Sequence, residues 1–185
     1  MKYPLLIPSV EVKDFREMKK KEAEFHFKWF MDQIPTQLEV LIRHSKLNLD
    51  YSQTSLITIW TWYLNQVEIV DKSVQELEDE YLRKSGWLQE FISPQKVSVE
   101  SQAIAFDIAI YLGEVMRRHH GSIEWGVVYK PKSFASVNRP LLIGFSEKIE
   151  MDVVLIVANK MRSIIKGERN TDTLFKIYQI WKEYV

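Results

Sequence analysis

Glu100, Asp107 and Glu114 stand seven residues apart in the stretch S-V-E-S-Q-A-I-A-F-D-I-A-I-Y-L-G-E-V-M-R-R-H-H-G, residues 98–121. On a helix this spacing puts three carboxylates on roughly one stripe, with neighbours about 10 Å apart along the axis. Paired carboxylates can act as acid and base on one substrate, but glycosidase pairs sit about 5 to 9.5 Å apart, so the reach is long. Structural roles compete. Glu100 faces the free N–H groups at a helix start, and Glu114 can pair with Arg117 or Arg118 at i+3 and i+4. Asp107 interrupts an apolar helix with no opposite charge at i±3 or i±4. Its carboxyl needs a donor from elsewhere in the fold, or it carries function.

The remaining chemistry-bearing residues are sparse. His119 and His120 are adjacent, so on a helix they diverge by about 100° and cannot readily share a metal; with Arg117 and Arg118 they suit the cation-favouring end of a helix. No H-E-x-x-H, G-x-S-x-G, G-x-x-x-x-G-K-[ST] or G-x-G-x-x-G pattern occurs. The absence of cysteine removes disulfides, thiolate nucleophiles and Cys-ligated metals. No metal site and no cofactor is therefore expected, and the reading leans away from an enzyme. Candidate binding residues are Asp107, Glu114, Arg118, Trp125, Asn138, Arg139, Trp62 and Trp87. Trp62 lies off the apolar stripe of its helix, so it is either binding surface or packed beneath residues 68–97. Trp125 alternates with Ile123 and Val127 on one face of a strand, as a core aromatic would. Asn138-Arg139 is either a turn pair or a recognition point.

The elements that must position these residues read as follows. Pro4 and Pro8 keep the first residues extended, and Ser9 can cap a helix running to about Asp32. Ile34-Pro35 breaks it, and Pro35 suits the first turn of a second helix ending near Lys46. Leu56, Ile59, Trp60, Tyr63, Leu64 and Val67 make the cleanest amphipathic pattern, behind a Ser52 cap. Residues 68–97 read as an excursion with a helix over 72–84, after which Trp87, Leu88, Phe91 and Ile92 return to the core. The central helix starts at Ser98 and ends at Gly121. Its Gly113 costs about 1 kcal/mol against Ala, which close approach of another backbone would justify. Strands follow over 123–130 and 141–145, with Pro140 at the start of the second. A helix capped at Asp152 follows, and a last helix comes after Thr171-Asp172. The expectation is an α+β fold, with five or six helices packed around a small antiparallel sheet in a single domain over residues 1–185.

Composition narrows the class of function. The 185 residues carry 25 Lys+Arg against 25 Asp+Glu, so no global field pulls the chain toward nucleic acid or anionic lipid. Hydrophobic residues make up 46%, enough for a packed core. No apolar run approaches the ~20 residues of a membrane span, and the start of the chain lacks a signal-peptide core. The expectation is a cytoplasmic protein without nucleic-acid or membrane partners.

Several segments resemble, in their order along the chain, a family of small uncharacterised bacterial proteins. They are Leu49-Asp50-Tyr51-Ser52 with Ser55-Leu56 and Trp60, Asp107-Ile108 with Tyr111-Leu112-Gly113-Glu114, Trp125-Gly126, Asn138-Arg139-Pro140 with Gly144-Phe145, and Ile180-Trp181. The resemblance implies a cytosolic α+β domain without an established activity, weakly similar to immunity proteins from toxin loci. It carries over no catalytic residue. The functional expectation is a non-enzymatic protein-binding domain of immunity or inhibitor type, with a protein partner such as a toxin. The alternatives are a small-ligand binder or enzyme using a carboxylate cleft on the central helix, and a module that assembles with copies of itself.

Overall fold

The structure is a computed structural model that describes residues 2–6 and 14–185. Ser9, expected to cap the first helix, lies outside the described residues.

Helix α1 spans Lys20–Ser45 without interruption. The Glu22 carboxylate accepts from the Lys19 backbone N–H at 2.7 Å, which satisfies one free donor at the helix start. Pro35 lies inside this helix, contrary to the expected break. A proline there removes one backbone hydrogen bond and costs about 3 kcal/mol. The same turns bury Phe30, Ile34, Leu38 and Leu41, each contributing about 1.5–3 kcal/mol. Burial wins, and the helix runs through.

Helix α2 spans Ser55–Gln66 and buries Leu56, Ile59, Trp60, Tyr63 and Leu64, the expected stripe. The Ser52 hydroxyl accepts from Ser55 N at 3.2 Å, just outside its first turn. Strand β1, Ile69–Asp71, then pairs antiparallel with β2, Gln95–Val97. Between them lie α3, Val74–Arg83, and a 3-10 turn over Gly86–Phe91. Neither element buries a single residue. Trp87 and Phe91, expected in the core, are 69% and 67% exposed, and Leu88 is exposed as well. The two three-residue strands hold this arm by their backbone ladder, and none of the described residues buries its apolar side chains.

Helix α4, Val99–His119, is the centre of the molecule. Ser98 caps it by accepting from Ser101 N at 3.3 Å. Thirteen of its 21 residues are buried, because α1, α2, α5 and α6 all lie against it. Strand β3, Glu124–Val127, pairs antiparallel with β4, Pro140–Ile143, with Trp125 opposite Leu142. Helices α5, Val153–Ile165, and α6, Thr173–Lys182, complete the chain. The fold is α+β and mostly helical, with two small two-stranded antiparallel sheets. The helices pack around the expected central helix rather than around a sheet, and two small sheets stand where one had been expected. Four-residue strands cover too little area to organise a core, whereas α4 is apolar on nearly every side.

Gly113 shows how closely β3 seats on α4. A Cβ built there would lie 2.4 Å from Cζ2 of the Trp125 indole. The helix gives up a side chain to admit an aromatic ring, where a close backbone had been expected.

Candidate binding sites

The seven-residue stripe on α4 is divided among different environments. Glu100 accepts from the Tyr3 backbone N–H at 2.5 Å, which ties the start of the chain to the start of α4. Asp107 lies two turns on and is 1% exposed. The Tyr3 hydroxyl donates to its Oδ2 at 2.5 Å, and the Gln37 amide nitrogen, turned toward the carboxylate, lies 3.1 Å from both oxygens. These are the donors that the sequence of α4 could not supply. Burial pushes the Asp107 carboxyl up to about 7, against the hydrogen bond from Tyr3, which lowers it. Tyr3 is raised in turn by its own burial and then by the adjacent carboxylate.

Asp107 contributes to the wall of a cavity of about 490 Å³ between α1, α4 and the start of α5. The lining is mostly aromatic and aliphatic, with Phe15, Trp29, Phe30, Phe106 and Val154 prominent. His26, Gln37 and Arg139 add polar groups. His26 is held below the usual histidine range by burial and then by the Arg139 charge. Its ring lies edge-on to Phe15 at 5.0 Å, and its Nδ1 has no hydrogen-bond partner among the described residues.

Glu114 lies elsewhere. A second, more open groove of about 730 Å³ is bordered by Pro35, Tyr51, Glu114, Arg117, Arg118 and Trp125. Glu114 is buried and accepts from Arg117 Nε at 3.0 Å, Arg117 Nη2 at 2.8 Å and Trp125 Nε1 at 2.9 Å. Burial alone would raise its pKa. The Arg117 and Trp125 hydrogen bonds, followed by the charges of Arg117 and Arg118, bring it below the usual range instead. The carboxylate is therefore saturated and locks β3 to α4. The Arg118 guanidinium lies 3.4 Å from the centroid of the Tyr51 ring, a cation–π contact. Asp107 and Glu114 thus belong to separate sites, too far apart in environment to act as one acid–base pair.

Asn138 is buried in the left-handed region at φ 64, which asparagine tolerates better than most residues. Its side chain donates to Phe15 O at 2.6 Å and to Met18 O at 3.1 Å, holding the turn ahead of α1. Arg139 pairs through Nε with Asp152 at 2.8 Å, and Asp152 also caps α5 by accepting from Leu155 N at 2.8 Å. Trp62 is half-buried, edge-on to His44 at 6.1 Å. Trp87 stands on the exposed arm, edge-on to Phe91 at 5.7 Å. The histidines at the end of α4 tie it to distant parts of the chain, His119 to Tyr51 O and His120 to the Tyr178 hydroxyl, both at 2.9 Å.

Sequence reasoning missed Tyr3, His26 and Gln37. Tyr3 lies in an extended stretch with no periodicity to mark it. Gln37 and His26 belong to the buried side of α1, where a polar residue within an apolar stripe was the available signal. Among the described residues no group of three His, Asp or Glu side chains is placed to hold a metal ion, and no helix is long and apolar enough to cross a membrane. No family model, curated protein or solved structure matches the chain.

Proposed function

We propose that this chain is a non-enzymatic protein-binding domain of immunity or inhibitor type, acting in the cytoplasm, and that residues 72–92 are its docking surface. The observation that carries the reading is the arm itself. Tyr81, Leu82, Trp87, Leu88 and Phe91 are all exposed on it, Leu82 by 83%, with no buried residue beneath. Monomeric soluble proteins seldom leave such a cluster uncovered, and tryptophan and tyrosine are favoured anchors at protein interfaces. Each aromatic can bury about 150–250 Å² on docking, so three of them supply much of the roughly 800 Å² a standard interface takes from one partner.

The charges on the arm point to the partner's chemistry. Glu76 pairs with Lys96, and Glu80 with both Lys72 and Lys84. Among the described residues Glu78, Glu90 and one cation, Arg83, have no ion pair, and Asp79 accepts from the Gln75 amide. The rim of the apolar patch is thus acidic, and it complements an apolar face bordered by Lys or Arg. A basic toxin fits that description, in keeping with the resemblance to immunity-type proteins.

The test is a tagged pull-down from host lysate, read by mass spectrometry, with the Trp87→Ser/Phe91→Ser variant alongside. One stoichiometric protein retained by the wild type and lost from the variant is the expected result. Identical retained proteins, or none at micromolar concentration, would remove the reading.

A further inference from the structure

We infer that the cavity between α1, α4 and α5 binds a monocarboxylate with an apolar tail, the tail lying among Trp29, Phe30 and Phe106 and the carboxylate on the Arg139 guanidinium. The site is separate from the docking surface on residues 72–92 and does not depend on it.

The cavity has the size and character of a small-molecule site. Its volume of about 490 Å³ falls in the usual range of about 300–1,000 Å³, and such sites join apolar walls to a few convergent polar groups. Ala103 leaves room on the α4 side, and Val154 closes the far wall from the first turn of α5. An aliphatic or aromatic tail gains apolar burial here without leaving a polar group of its own unsatisfied.

The head group follows from the polar residues. Asp107 is already taken by Tyr3 and Gln37, so it offers little to an amine. Arg139 is different. Its Nε lies 2.8 Å from Asp152 Oδ2 as an ion pair without hydrogen-bond geometry, its guanidinium lies 5.3 Å from the Phe15 ring centroid, and its two terminal nitrogens make no hydrogen bond with the described residues. A guanidinium with its outer donors free suits a planar carboxylate. Asp152 offsets part of the Arg139 charge. The other Asp152 oxygen, Oδ1, accepts from Leu155 N at the positive end of α5, which offsets part of the Asp152 charge in turn. The carboxyl of Asp107 is held partly protonated near neutral pH by its burial, which weakens the repulsion an incoming anion would meet.

The experiment titrates the full chain with decanoate, 1-decanol and decylamine, followed by thermal shift and by tryptophan fluorescence, since Trp29 lines the cavity. Decanoate should raise the melting temperature and bind at least about tenfold more tightly than 1-decanol, the effect of one charge-assisted hydrogen bond. Decylamine should bind no better than the alcohol. Arg139→Gln should bring decanoate to the level of 1-decanol. Ala103→Trp should abolish both by filling the cavity, with circular dichroism unchanged. The Trp87→Ser/Phe91→Ser variant should bind decanoate as the wild type does. Equal affinity for decanoate and 1-decanol, tighter binding of decylamine, or no binding of any probe would each overturn the inference. The comparison of probes on the wild type decides even where Arg139→Gln destabilises the fold.

Discussion

The Tyr3 hydroxyl donates to Asp107 Oδ2 at 2.5 Å across 104 positions of chain. Through this bond the start of the polypeptide satisfies the one carboxylate that the central helix buries without a cation. Tyr3 is itself buried, edge-on to His44 at 4.8 Å, so the contact joins residues 2–6 to α1 and α4 together.

Tyr3→Phe keeps the ring and removes the donor. A buried carboxylate oxygen left short of a partner costs about 1–3 kcal/mol. The loss should be greater at pH 8 than at pH 5, because the bond favours the ionised form and lowers the Asp107 pKa. Urea denaturation at the two pH values measures both quantities.

Asp107→Asn should change the pH dependence of stability. The folded-state pKa of about 7 lies above the ordinary value of 3.8. The folded protein therefore binds more protons than the unfolded chain between those values, and wild-type stability falls as pH rises through that window. The fall attributable to this group is at most about 4 kcal/mol, from a shift of about three pH units at 1.36 kcal/mol each. The asparagine variant should lack that decline and be the more stable of the two above pH 7. A wild type whose stability rises from pH 5 to 8 by the same amount as the variant's would refute the assignment.

Gly113→Ala should cost about 1–3 kcal/mol, the usual penalty of overpacking a core, because the new methyl group would meet the Trp125 ring at 2.4 Å. Trp125 also donates to Glu114, so the ring cannot shift freely. Pairing Gly113→Ala with Trp125→Leu should recover part of the loss in a double-mutant cycle. Additive losses would mean that the two residues do not interfere.

Tyr63→Phe should leave stability unchanged or raise it by about 1 kcal/mol. Its hydroxyl is buried on α2 without a hydrogen-bond partner among the described residues, so the substitution removes an unsatisfied group and keeps the ring. Thermal unfolding in parallel with the wild type is sufficient. A loss above 1 kcal/mol would indicate that the hydroxyl has a partner.

Helical periodicity made α2 and α4 legible, since Leu56, Ile59, Trp60 and Tyr63 keep one face and α4 is apolar nearly all round. The partners of Glu114 at i+3 and i+4 were local and could be read. Pro35 could not be placed correctly from propensity, because burial on both sides of it outweighs the lost hydrogen bond. Trp87 and Phe91 misled for the opposite reason. Large apolar residues are usually core, whereas these stand on an arm held by two three-residue strands and are left exposed among the described residues. The donors to Asp107 come from positions 3 and 37, and a single sequence gives no distance between such residues and α4. The cavity is equally invisible in sequence, since it is a space left between three helices.

The proposed docking surface on residues 72–92 is tested most directly by photo-crosslinking in the host. A photoreactive amino acid is placed at Trp87 or Phe91, with Glu39 on the exposed side of α1 as the control position. One partner protein crosslinked from positions 87 and 91, and none from 39, is the result this account predicts. No crosslink from either arm position, or the same products from all three, would contradict it.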